Sequence, residues 1–313
     1  MNETDIIQLL RRQEVVNGIG IGDDAALLKG LPRNGESLII ASDLIAENTH
    51  FKLKWSSPVD LAYKLVETNV SDFYCKGVEP SYAVFQLAVA SHFLNQLKPF
   101  LNAVKKRLKF HGVKLLGGDT IKAEHCFFGL TLLGSSANFI PRKSKSTIPP
   151  GSVLACLGKI GGSSLGLKAL KQKEKKRKHV KAYLRPKSQR PSAEILQEAY
   201  CSIDQSDSLI EALECLASEN KIQLKLDLEK LPVPRGASFS AKRKDLKFFL
   251  QASEDLAILA IFPDQMKQKI ADHGFSILGT VAELDRKKKY IKLYWQSEKI
   301  RKLDLTKTYQ HFG

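Results

Sequence analysis

Apolar residues recur along this chain in two rhythms, short alternating or continuous runs and longer stretches at helical spacing, and the switches between them predict its elements. Residues 38–43 (LIIASD) form an apolar run read as a strand ending in an acidic turn. Ser57-Pro58 has the chemistry of a helix start, and Leu61, Ala62, Leu65 and Val66 continue at helical spacing. A strand is expected over 81–90, a basic amphipathic helix over 94–111, a strand over 113–119 running into an acidic turn, and another strand over 126–134. The stretch 138–152 (NFIPRKSKSTIPPGS) is rich in Pro, Ser and Lys, lacks periodicity and marks a boundary. Beyond it follow a strand (153–157), a Gly/Ser turn and helix, helices near 192–201 and 207–219, a Pro-containing loop (231–236) and a strand-rich end. The pattern predicts two α+β or α/β domains, over 1–138 and 139–313.

The first residues, MNETDIIQLLRRQE, read as an amphipathic helix without the apolar core of a signal peptide. Apolar runs such as 256–262 are too short to span a bilayer, so a cytoplasmic protein with no membrane partner is expected.

Composition adds limits. Of 313 residues, 43% are hydrophobic and 26% charged, as in ordinary globular proteins. Cys75, Cys126, Cys156, Cys201 and Cys215 are scattered without a CxxC pair, which favours reduced thiols and argues against a zinc site of closely spaced ligands. The net charge of +16 and pI near 9.5 raise nucleic acid as a partner. Much of the excess lies in Lys168–Arg190, where Tyr183 is the only aromatic residue available for base stacking. A solvated basic face, or a rim attracting anionic substrates, fits that run better.

Candidate chemistry lies in a repeated acidic context. Asp23-Asp24 sits in GIGIGDDAA, Asp43 in IIASDLIAENTHF, Asp72 in ETNVSDF and Asp119 in LLGGDT. Asp204 and Asp207 follow in SIDQSDSL, and Glu254-Asp255 in QASEDLAIL. Singly, each reads as a cap, turn former or solvated residue. Together they resemble strand ends converging at one edge, where like charges need a compensating cation. Magnesium suits such a set, because it takes a few carboxylates, keeps water and binds phosphate oxygens. Ser206 and Asp207 also stand at the start of a helix carrying Leu209, Leu213 and Leu216, a position that favours a phosphate. Familiar motifs are missing: Gly158-Lys159 is followed by Ile160, so there is no P-loop, and GKIGGSSLG (158–166) lacks the dinucleotide spacing. HExxH and GxSxG are absent too.

These residues resemble a known family. GIGDDAA (20–26), SDLIAENTHF (42–51), NVSDFYCKGVEP (69–80) and LGGDT (116–120) occur in the order and approximate spacing of the thiamine-monophosphate kinases, relatives of aminoimidazole ribonucleotide synthetase. SKSTIPPGS (144–152), LGKIGGSSLGL (157–167), YLRP (183–186), IDQSDSL (203–209), SEDLAIL (253–259) and TYQHFG (308–313) extend the match more weakly. The resemblance implies a two-domain PurM-like architecture, an N-terminal α+β dimerisation domain and a C-terminal α/β domain, and a homodimer pairing through its N-terminal sheets, with ATP and several magnesium ions between acidic loops. It places Asp24, Ser42, Asp43, Asp72, Asp119, Asp204 and Asp207 at metal positions. Gly118, Asp119, Lys145 and Ser206 fall near ATP, and His50, Glu254 and Tyr309 on the substrate side. Departures are visible as well. The family's SDG is Ser206-Asp207-Ser208, its GGEDYEL is Ala252 to Ile258, an arginine is Lys145, and an acidic residue after Gly151 is Ser152.

The reaction so implied moves the γ-phosphoryl group of ATP to thiamine monophosphate, giving thiamine diphosphate. The attacking phosphate is ionised at neutral pH, so no general base is expected and the carboxylates act as ligands. The alternatives are another PurM-like enzyme, such as aminoimidazole ribonucleotide synthetase, or a catalytically decayed basic nucleotide- or nucleic-acid-binding protein.

Overall fold

The computed structural model describes residues 18–19, 23–29, 35–173, 177–285, 289–300 and 303; the expected N-terminal helix lies outside them. Strands β1 (Gly18–Ile19), β2 (Ala26–Leu28), β3 (Ser37–Ala46), β4 (Tyr82–Val89), β5 (Lys114–Lys122) and β6 (Phe127–Ser136) form one sheet in the order β1-β2-β3-β6-β4-β5. Only the β4–β5 pair among them is parallel. Alternation along β3 divides the faces: Ile39, Ala41 and Ile45 are buried, while Ser42 and Leu44 are exposed.

Helices α1 (Pro58–Tyr74) and α2 (Leu94–Phe110) cover the inner face. Ser57 caps α1 in a box with Asp60, and Pro58 is its first residue, as the sequence predicts. Helix α1 is enclosed nearly all round. Leu61, Leu65, Val66, Val70 and Phe73 fill the core, and Asp60, Lys64, Glu67, Asn69, Ser71 and Asp72 are buried too. Buried polar groups need partners, and the second half of the chain supplies several of them.

That half carries β7 (Val153–Leu157), β8 (Cys201–Gln205), β9 (Ile222–Asp227), β10 (Ala257–Phe262), β11 (Ser276–Glu283), β12 (Ile291–Trp295) and β13 (Glu298–Lys299). Their order is β13-β12-β9-β11-β7-β10-β8, antiparallel apart from β9 with β12. Its helices are α3 (Gly162–Lys171), α4 (Arg177–Leu184), α5 (Ala193–Leu196), α6 (Leu209–Glu219), α7 (Arg243–Leu250) and α8 (Lys267–Asp272). Strand β10 reads as unbroken apolar sequence because both its faces are buried. Ile258, Ala260 and Phe262 join the core shared with the first half, whereas Ala257, Leu259 and Ile261 join the core beneath α6 and α7.

The mixed two-sheet architecture is the expected one. Three local readings change. Asp43 lies within β3 and not in a turn, because Leu44, Ile45 and Ala46 keep the alternation going. Asp119 lies within β5, which stays paired with β4 as far as Lys122. The helix expected near 192–201 is only Ala193–Leu196, and Cys201 already opens β8. Part of the basic run has internal partners: Arg185 pairs with Asp60, Ser188 donates to Glu67, and Arg190 pairs with Glu79 at 2.7 Å. All five cysteines are free thiols. Among the described residues no helix is long and apolar enough to cross a membrane.

Candidate functional site

Five elements deliver carboxylates to one place. Asp24 precedes β2, Asp43 points inward from β3, Asp72 stands in the last turn of α1, Asp204 in β8, and Asp207 just before α6. Their mutual influence shows in their acidities. Burial, then Asp24 and Asp207, push Asp43 up to about 6. Burial, then Asp43, Asp204 and Asp24, raise Asp72 well above the carboxylate range. Burial and Asp24 push Asp204 up to about 8, although Ser71 donates to its Oδ2 at 2.7 Å. Crowded together and buried, these groups resist ionising.

Two cations reach the cluster that sequence reasoning missed. Lys76 is fully buried, with its ammonium 2.8 Å from Asp23 and 2.5 Å from Asp24, and donates to the Ser202 carbonyl at 2.8 Å. Burial opposes its charge, but Asp24, Cys75 and Asp23 more than offset this and hold its pKa well above the lysine range. Arg142, from the linker, stands 3.7 Å from Asp24, and its amide donates to Asp23 at 2.9 Å. Burial lifts the Asp23 carboxyl, yet Lys76 and Arg142 bring it below the usual range. The carboxylates still outnumber the cations. Among the described residues, no three of these carboxylates each bring an oxygen within 4.8 Å of the other two. An oxygen-only set, incompletely neutralised and this open, fits magnesium ions that keep water and share phosphate oxygens.

Ser42, Gly118, Asp119 and Lys145, also expected at metal or nucleotide positions, lie elsewhere. Ser42 is on the outer face of β3, 2.9 Å from Thr131 Oγ1, which accepts from Gln86 at 3.1 Å. Asp119 is exposed beside Gln86 on that face, and its Oδ1 accepts from Thr120 N at 2.9 Å. A Cβ on Gly118 would sit 1.9 Å from the Phe85 carbonyl, so close strand packing alone requires glycine there. Lys145 is exposed, adjoining a cavity of about 580 Å³ lined by Ser144, Ser146, Ile148, Glu219 and Lys221.

On the proposed substrate side, a buried lysine joins the expected residues. Lys64 Nζ donates to the His50 carbonyl at 2.7 Å and to Glu254 at 2.9 Å, and lies over the Tyr183 ring at 4.3 Å. His50 Nδ1 accepts from Ala46 N at 3.0 Å. Tyr309 lies outside the described residues.

The altered motifs have local explanations. Ser208, where the family pattern has glycine, caps α6 in a box with Glu211, leaving Ser206 and Asp207 exposed ahead of the helix. Ala252, Leu256 and Ile258 are buried. Asp255 accepts from Gly161 N at 2.6 Å and Ser163 N at 2.8 Å, closing the start of α3. Glu254 and Leu256 flank it at φ 56° and 54°, left-handed conformations that cost on the order of 1–3 kcal/mol each. Ser152, in place of an acidic residue, donates to the Pro149 carbonyl at 2.7 Å.

Comparisons with known proteins bear on the fold and the family. The family model for "AIR synthase related protein, N-terminal domain" matches residues 22–136. The thiamine-monophosphate kinase of Leptospira interrogans is 28% identical over 323 residues, covering 100% of this chain and 97% of that protein. That of Buchnera aphidicola subsp. Schizaphis graminum is 31% identical over 248 residues, covering 75% and 74%. The structure of AaThiL complexed with AMPPCP and TMP matches with a TM-score of 0.82 at 22% identity, covering 99% of this chain and 97% of that one, a likeness of fold. By its sequence relatives, the chain belongs to the thiamine-monophosphate kinase family.

Proposed function

We propose that this chain is an ATP-dependent kinase that phosphorylates thiamine monophosphate to thiamine diphosphate. The observation that carries the reading is the cluster of Asp24, Asp43, Asp72 and Asp204, in which the carboxyls of Asp43, Asp72 and Asp204 are pushed up by burial and by one another, as at a site built for an added cation. These residues and Asp207 would hold magnesium, which when bound neutralises and orients the phosphates. The acceptor phosphate, with a second pKa of about 6, is mostly dianionic at neutral pH and requires no protein base. What it requires is alignment against a second anion. Lys76 and Arg142 fix the Asp23-Asp24 turn, while Lys64 fixes Glu254 and the His50 loop. Lys145 and Ser206, both exposed, are assigned to ATP, and His50, Glu254 and Tyr309 to the thiamine side.

A homodimer belongs to the same reading. The outer face of the first sheet and its edge expose Leu44, Tyr82, Leu116, Ile121 and Phe127, more apolar surface than a solvated sheet face carries. Ser42 and Asp119 lie on that face, so pairing of two copies there would set them at the dimer seam. Residues 1–138 and 139–313 are taken as the two domains, and the cytoplasm as the compartment.

The test is incubation with magnesium, ATP and thiamine monophosphate, with product identified by chromatography. Thiamine diphosphate is the expected product. Magnesium-dependent ATP binding without it would overturn the substrate assignment.

A further inference from the structure

Cysteine spacing along the chain gives no sign of a metal site, but the fold brings a thiol, an imidazole and a carboxylate together from positions far apart. Glu47 directly follows β3, Cys126 directly precedes β6, and His92 lies in the short turn Ser91–Phe93 after β4. Strands β3, β6 and β4 are neighbours in the sheet, so their ends come together on one side. The ligand atoms of the three side chains lie within 4.8 Å of one another. His92 Nε2 is 3.1 Å from both carboxylate oxygens of Glu47.

We propose that Glu47, His92 and Cys126 form a second metal site, separate from the acidic cluster and selective for a zinc-class divalent cation. The donor set is the first reason. One thiol, one imidazole and one carboxylate match zinc or cobalt, whereas magnesium takes oxygen alone. Tetrahedral zinc, with bonds of about 2.0–2.3 Å, sets its ligands roughly 3.3–3.7 Å apart, so the His92–Glu47 pair at 3.1 Å needs to open only slightly and atoms no more than 4.8 Å apart need to close by about an ångström at most.

Preorganisation is the second reason. Glu47 N donates to the Cys126 carbonyl at 2.9 Å, and Cys126 N donates to Glu47 Oε2 at 3.0 Å, locking the two residues together. Ala90 N donates to Cys126 Sγ at 3.4 Å, the kind of outer contact that steadies a metal-bound thiolate. Access is the third. Cys126 is wholly buried, but the His92 side chain is 49% exposed, which opens a path for the ion and leaves its fourth position to water. A bound ion would tie the ends of three strands. The competing occupant of this geometry is a plain His92–Glu47 ion pair over an inert thiol.

Cobalt decides between them. The chelator-treated full chain is titrated with Co²⁺ alone, reading the near-ultraviolet sulfur-to-cobalt charge-transfer absorption, then with Zn²⁺ and Mg²⁺ as competitors. The expected result is a charge-transfer band that Zn²⁺ abolishes and excess Mg²⁺ does not. Cys126→Ser should lose the band, and His92→Ala should weaken Co²⁺ binding by about tenfold or more. A titration without the band overturns the proposal, as does a band that survives Cys126→Ser or an affinity that His92→Ala leaves unchanged. Because His92 is half-exposed, its variant carries the test even if the cysteine variant misfolds.

Discussion

Lys64 and Glu254 stand 190 positions apart in sequence, yet the ammonium of one lies 2.9 Å from the carboxylate of the other. The lysine is buried in α1 and the glutamate sits in a left-handed turn after α7, so the contact joins the two halves across the proposed substrate side. Lys64→Met keeps the length of the stem and removes the charge. Glu254 then loses this partner, and the His50 carbonyl loses its shorter donor and keeps the Tyr183 hydroxyl at 3.4 Å. A buried charge deprived of its partner costs roughly 3–5 kcal/mol, and Glu254, one-third exposed, should fall below that range. Steady-state kinetics should show KM for thiamine monophosphate raised about tenfold or more with KM for ATP little changed. Equal effects on both substrates would count against this placement.

Asp43→Asn separates function from stability. Asp43 lies inside β3, its carboxyl pushed up to about 6 by burial and by Asp24 and Asp207. As a cation ligand it is needed for turnover, and losing it should lower kcat by about a hundredfold, the scale of a missing electrostatic stabiliser. The same change removes repulsion from the metal-free fold. At pH 8 without magnesium, the variant should therefore melt at or above the temperature of the parent chain. A less stable variant with normal activity would refute the ligand role.

Much of this site was legible in the sequence, and the rest was hidden for definite reasons. Repetition of Asp beside Gly or Ser identified Asp24, Asp43, Asp72, Asp204 and Asp207, which the fold does bring together. Their setting was misread for Asp43 and Asp119, because a carboxylate at the end of an apolar run looks the same in a turn and in a continuing strand. Only the pairing partner, β6 for Asp43 and β4 for Asp119, decides it. Lys64 and Lys76 were invisible, since lysine is a surface residue by default. Their burial follows from acidic partners elsewhere in the chain. Ser57-Pro58 was readable as a helix start because capping is local. At α6, adjacent Ser and Asp residues left the cap open, and it fell to Ser208.

Metal-free stability should fall as pH rises. Asp43, at about 6, and Asp204, at about 8, are both raised from 3.8. Between about pH 4 and 8 the folded chain holds protons that the unfolded chain releases, so the stability these groups contribute in acid is lost through that window. Asp255, pushed up to about 7 chiefly by burial, acts in the same sense. Each pKa unit corresponds to about 1.4 kcal/mol, so the decline should amount to several kcal/mol. Magnesium should restore the melting temperature at pH 8 and do little at pH 5, where protons already fill its place. A flat metal-free profile over this range would contradict the clustered geometry.

The outer sheet face provides a test of assembly. Leu44 and Ile121 are 52% and 58% exposed, with Ser42 and Asp119 beside them. Leu44→Glu places charge in that apolar surface without touching the inner core. Sedimentation should show a dimer for the parent chain and a monomer for the variant, with circular dichroism unchanged. A variant that still dimerises would move the interface elsewhere.

Glu67 holds the framework behind the site. It is fully buried in α1 and accepts from Arg107 and His111, from the Ser188 amide at 2.8 Å and from the Ser188 hydroxyl at 2.7 Å. Burial lifts its carboxyl, but His111 and Arg107 more than reverse this and hold it below the glutamate range. Its contribution is therefore present above the unfolded pKa and is lost as pH falls through the folded one, opposite in sign to the acidic cluster. Glu67→Ala leaves Arg107 and His111 facing an empty pocket and should cost about 3–5 kcal/mol in denaturant unfolding. Adding Arg107→Met should recover part of that loss, because the second change removes the stranded charge. Additive losses from the two substitutions would show that the pair is not coupled.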